Sequence, residues 1–96
     1  MQRLEELHRR VEEIQAVASR HGARNLHVFG SVARGEEGTD SDVDLLVEFE
    51  PGRGLLSHAA LIRELEQLLG CRVDVVSHNG LKSRLRSRVL EEAVPL

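Results

Sequence analysis

Residues 29–49 read FGSVARGEEGTDSDVDLLVEF, and the way this stretch divides decides the fold. Its second half opens VDLLVEFE (43–50), the strongest strand in the chain, stopped by PGRG at 51–54. In a strand, residues two apart project from the same face about 6.5–7 Å apart. Asp42 and Asp44 therefore point together, while Val43 turns away into packing. The first half closes another short apolar strand, NLHVFG (25–30), at Gly30. SVARG (31–35) then has the length of one helical turn, with Ser31 as its cap and Gly35 as its end. EEGTDS (36–41) is loop chemistry.

Outward from this centre the pattern is helical on both sides. Leu4, Leu7, Val11, Ile14 and Ala18 recur at three- and four-residue steps, which predicts one amphipathic helix ending near Gly22. Leu61, Ile62, Leu65, Leu68 and Leu69 form the stripe of a second helix, with Gly70 at its end. CRVDVVS (71–77) predicts a third strand, HNG (78–80) a turn, and LKSRLRSRVLEEA (81–93) a last helix closed by Pro95. The order α-β-(turn)-β-α-β-α implies an α/β (α+β) layer: a small mixed sheet of about three strands with helices on one side. No repeat or linker divides the chain, so residues 1–96 are expected to form a single domain.

Composition narrows the partners. A 96-residue chain that is 41% hydrophobic builds a modest core, so a partner or a homo- or hetero-oligomer can supply part of the stability. The net charge of −3 and only two aromatics, Phe29 and Phe49, argue against nucleic acid. No apolar run reaches the roughly 18 residues of a membrane span, and the single Cys71 suits a reducing, cytoplasmic setting. His8, His21, His27, His58 and His78 are scattered, and none stands at zinc-ligand spacing from Cys71. Lys82, Arg84, Arg86 and Arg88 step by two around the last helix, the pattern of a solvated face or of contact with an acidic partner or an RNA backbone.

Two convergent carboxylates make a hard oxygen site for Mg²⁺ or Mn²⁺, and can bridge two ions about 3.5–4 Å apart. The Gly30–Ser31 turn offers unpaired N–H groups and a hydroxyl, which suit an anion such as a phosphate. Two familiar motifs fail. Asp40, Asp42 and Asp44 imitate the start of an EF-hand loop, but Leu45 stands where Gly is required and Pro51 where the closing Glu belongs. GSVARGE has the glycine spacing of a P-loop, but Glu36 replaces its lysine.

GS at 30–31, ten residues, then DVD at 42–44 resembles the signature of the nucleotidyltransferase superfamily related to DNA polymerase β. The fuller string is similar to its minimal nucleotidyltransferase branch, and the similarity runs from the first helix to EAVPL (92–96). The resemblance implies a third carboxylate on a later strand, and Asp74 in RVDVVS occupies it. It implies that Asp42, Asp44 and Asp74 bind two Mg²⁺ (or Mn²⁺) ions, with Asp74 as the general base. Gly30 and Ser31 would hold the β- and γ-phosphates of a nucleoside triphosphate, with Arg34 neutralising charge or pairing with Glu36 or Glu37. The branch is typically paired with a HEPN-domain toxin, so the implied activity is transfer of AMP from ATP to a toxin hydroxyl, a tyrosine by expectation, by its antitoxin. Two other functions stay open on the residues alone: a non-catalytic module that neutralises its partner by occlusion, and an aminoglycoside-type transferase for small molecules.

Overall fold

The computed structural model describes residues 3–35, 42–78 and 83–96, the last segment with side chains from residue 87 onward. The expected first helix is two helices, α1 (Arg3–Arg9) and α2 (Val11–Arg20), hinged at Arg10. Hydrogen bonding nearly continues through the hinge, from the Arg10 N–H to the Glu6 carbonyl (3.1 Å) and from the Ile14 N–H to the Arg10 carbonyl (3.0 Å). The Arg10 guanidinium instead reaches across to donate to the Leu68 carbonyl at 2.8 Å, binding the hinge to the end of the second long helix. Leu7, Ile14 and Ala18 of the stripe are fully buried; Leu4 packs on the core from its margin.

The sheet has four strands in the order β3 (Val73–Ser77), β2 (Val43–Phe49), β1 (Ala23–Phe29), β4 (Val94–Pro95). β2 runs antiparallel to β1 and parallel to β3, and β4 pairs antiparallel with β1. The fold class is therefore as expected, with one strand more. Pro95 does not merely close a helix: it lies opposite His27 on the outer edge, where a missing N–H costs no ladder bond. The Leu96 N–H then donates to the Leu26 carbonyl at 3.0 Å.

β1 carries a bulge. Arg24 pairs with Glu48 and His27 with Leu46, so three steps on β1 match two on β2, and Asn25 takes a left-handed φ of 52°. The extra residue lets both Ala23 and Val28 face the core, although they are an odd number of positions apart. Val43, Leu45 and Val47 of β2 join them with Val73 and Val75 of β3, beneath Leu61, Leu65 and Leu69 of α4 (Leu55–Leu69). α4 ends on Gly70 in the left-handed conformation (φ 69°), as its position after the stripe predicts.

Leu46, on the opposite face by alternation, is also fully buried, yet it lies outside that core. α5 (Ser83–Glu92) contacts β1 and α3 (Gly30–Arg34), so the sheet is covered in part on both faces rather than on one. Lys82 of the basic run lies outside the described residues; Arg88 is exposed on α5, in keeping with a solvated face. Among the described residues no helix is long and apolar enough to cross a membrane. Replacing Leu65, which has no exposed surface, by Ala should lower unfolding free energy by about 2–5 kcal/mol in a denaturant titration.

Candidate active site

β2 and β3 bring the three predicted carboxylates together through their register. Val43 lies beside Val73, Asp44 beside Asp74 and Leu45 beside Val75. The valines and the leucine are buried, at 0–6% exposure, which turns both aspartates to the other face of the sheet. Neighbouring strands are about 4.8 Å apart, so Asp44 and Asp74 rise side by side. Asp42, two residues before Asp44, precedes the strand on the same face; the Val43 N–H donates to the Arg72 carbonyl at 2.9 Å and pins this entrance.

The charges respond to one another. Burial pushes the Asp44 carboxyl above its ordinary value, the charges of Asp74 and Asp42 push it further, and Arg34 pulls in the opposite direction. Half-buried Asp44 is thus the hub of a cluster of three acids with too little positive charge to balance it. Such a donor set fits a hard divalent cation, which would offset the repulsion that adds to burial in raising the Asp44 pKa. Among the described residues no three such groups are gathered tightly enough to coordinate one ion as they stand.

Gly30 lies against the hub. Phe29 is the β1 partner of Asp44, and Gly30 follows at φ 74° as the first residue of α3. A Cβ at this position would overlap Asp44 Oδ2 and lie 3.3 Å from its Cγ. Glycine is needed here for two reasons: a backbone angle that other residues disfavour, and room for a carboxylate. The expected capping role of Ser31 is corrected. Phe29 is the cap residue, in extended conformation without a side-chain cap bond, and Ser31 lies inside the first turn. Gly35 closes α3 as expected, at φ 71°.

Arg34 pairs with Glu92 of α5, Nη1 to Oε2 at 3.1 Å. Glu36 and Glu37, the partners considered from the sequence, lie outside the described residues, as do Thr39 and Asp40. Glu92, 58 positions from Arg34, leaves no local signal in the sequence. Arg72 was also missed: its Nε lies 3.9 Å from Asp42 Oδ1. The signal was present, since Arg72 stands two before Asp74 as Asp42 stands two before Asp44.

Residues 9–96 match the family model described as a nucleotidyltransferase domain. A protein adenylyltransferase of Thermococcus cleftensis is 45% identical over 92 residues, covering 88% of this chain and 93% of that one. A solved structure described as a minimal nucleotidyltransferase superimposes with a TM-score of 0.87 at 59% identity, covering 97% of this chain and 95% of the other. The fold alone is shared with a chain of a complex between a tri-AMPylated HEPN toxin of Shewanella oneidensis and its MNT antitoxin. That match has a TM-score of 0.68 at 20% identity, over 99% of this chain and 71% of the other. The chain belongs to the nucleotidyltransferase family, in its minimal branch.

Two substitutions separate space from backbone angle. Gly30→Ala should lower both melting temperature and transferase activity. Gly35→Ala, with a similar φ but nothing within 4 Å of the added Cβ, should cost stability alone, about 1–2 kcal/mol in a denaturant titration. Asp44 gives an opposite pairing of effects. Its folded pKa is raised, so the ionised form opposes folding once pH rises through that value. Asp44→Asn should raise the melting temperature of the metal-free chain at neutral pH, an increase that fades as pH falls below the ordinary aspartate range.

Proposed function

We propose that this chain is a protein adenylyltransferase that transfers AMP from ATP to a hydroxyl, a tyrosine by expectation, of a HEPN-domain toxin, and thereby acts as its antitoxin. The observation that carries the reading is the register of Asp44 with Asp74, beside a glycine turn whose missing side chain leaves room for the carboxylate. The names of the relatives support the substrate class: one is a protein adenylyltransferase, and one neighbour is bound to an AMPylated toxin.

Asp42, Asp44 and Asp74 would hold two Mg²⁺ ions, with Mn²⁺ as a substitute. When bound, these would lower the pKa of the acceptor hydroxyl and offset charge on the triphosphate. Gly30 and Ser31 bind the β- and γ-phosphates through the opening turn of α3, and Arg34 offsets charge beside them. The acceptor oxygen attacks the α-phosphorus in line, the bond to the β-phosphate oxygen breaks, and pyrophosphate leaves. Asp74, more exposed than Asp44 and on the edge strand, takes the hydroxyl proton as general base. Its position opens the acceptor side of the site to a macromolecule. Residues 1–96 act as one catalytic unit, and the single free Cys71 suits a reducing, cytoplasmic setting.

The test is intact-protein mass spectrometry. Wild-type chain, ATP and Mg²⁺ should add mass to the HEPN toxin in steps of one AMP. Asp42→Asn and Asp44→Asn should each lower the rate by at least about a hundredfold. An unmodified toxin whose activity is nevertheless blocked would replace this reading with neutralisation by occlusion.

A further inference from the structure

The acidic face has a fourth corner. Asp42 and Asp44 stand two apart on one strand, Arg72 and Asp74 two apart on its parallel neighbour. Continuing the Val43–Val73 and Asp44–Asp74 register one step back sets Arg72 beside Asp42, where the ion pair is found. Their separation of 3.9 Å exceeds hydrogen-bonding distance, so the contact is one of charge. The Arg72 side chain is 85% exposed, against 36% for Asp42, so it leans over the carboxylate from solvent. Arg34, the cation on the other flank, is already engaged by Glu92.

We propose that Arg72 is the resident counterion of Asp42, which a divalent ion must displace. It thereby sets the concentration of free cation at which the site loads. The inference rests on Asp42 being a cation ligand. An exposed ion pair contributes little stability of its own, so Arg72 is no strut of the fold. Its effect on a divalent ion is larger, because it both occupies Asp42 and repels a double positive charge. Water, salt and movement of the side chain all weaken that repulsion, so removing the charge tightens binding by about three- to tenfold. The flexible stem makes displacement cheap: the guanidinium swings outward and keeps its hydration.

The experiment titrates Mn²⁺ alone into the full chain and follows free Mn²⁺ by electron paramagnetic resonance, without nucleotide or toxin. Wild type, Arg72→Ala, Arg72→Lys and Asp42→Asn are compared, with thermal melts confirming that each is folded. Arg72→Ala should bind Mn²⁺ about three- to tenfold more tightly, Arg72→Lys should stay within about twofold of wild type, and Asp42→Asn should lose binding. Equal or weaker binding by Arg72→Ala, with Asp42→Asn still defective, overturns the role of Arg72 and leaves the cation site standing. A wild-type chain that takes up no Mn²⁺, or an Asp42→Asn variant that binds normally, overturns both.

Discussion

Asp44 and Asp74 lie in register on adjacent parallel strands, and no folded chain gains by holding two like charges at that spacing. What holds them is the packing of their neighbours. Val43 and Leu45 flank one aspartate, Val73 and Val75 the other, and these four side chains are inserted beneath α4. The alternation of a strand then leaves the acids no other face to occupy. Apolar burial supplies the free energy, and the cost it sustains is a carboxylate half-buried beside like charges: burial first, then Asp74 and Asp42, raise the Asp44 pKa.

A second support comes from α4 itself. Glu66 accepts a hydrogen bond from the Val73 N–H at 3.1 Å, on the side of β3 that has no neighbouring strand. An edge strand is the loosest part of a sheet, yet here it carries Asp74 on the residue that follows the anchored amide. On the other flank the Gly30 turn is fixed through β1, and α3 is tied to α5 by Arg34 and Glu92. Of the regions that meet at the site, β3 is thus secured to α4 and the turn to β1 and α5, with β2 held between them.

Much of this was legible in the sequence, for identifiable reasons. Strand alternation placed Asp42 and Asp44 together and turned Val43 inward, because a two-residue period leaves no other arrangement when one face is buried. The glycine pattern gave the ends of α3 and α4, since Gly35 and Gly70 both adopt the left-handed conformation. The features that escaped depend on contacts between distant segments. The hinge at Arg10 reaches to Leu68, the partner of Arg34 is Glu92, and the strand formed by Val94 and Pro95 is made by pairing rather than propensity. Asp74 was found through the resemblance; its alignment with Asp44 needed the parallel register.

The bulge at Asn25 has a wider meaning for how this fold can vary. β1 must present Ala23 to the core before the bulge, and after it present Leu26 and Val28 to the same core and deliver Gly30 against Asp44. A regular strand of this length cannot satisfy both parities, and the extra residue reconciles them. The bulge therefore works as a phase adjuster, setting which side of the sheet the chain is on when it reaches the turn. Single insertions or deletions in β1 would invert that phase and carry Gly30 away from its carboxylate, whereas paired changes would preserve it. The short strand next to the turn is thereby constrained in length as tightly as the acidic positions are constrained in chemistry.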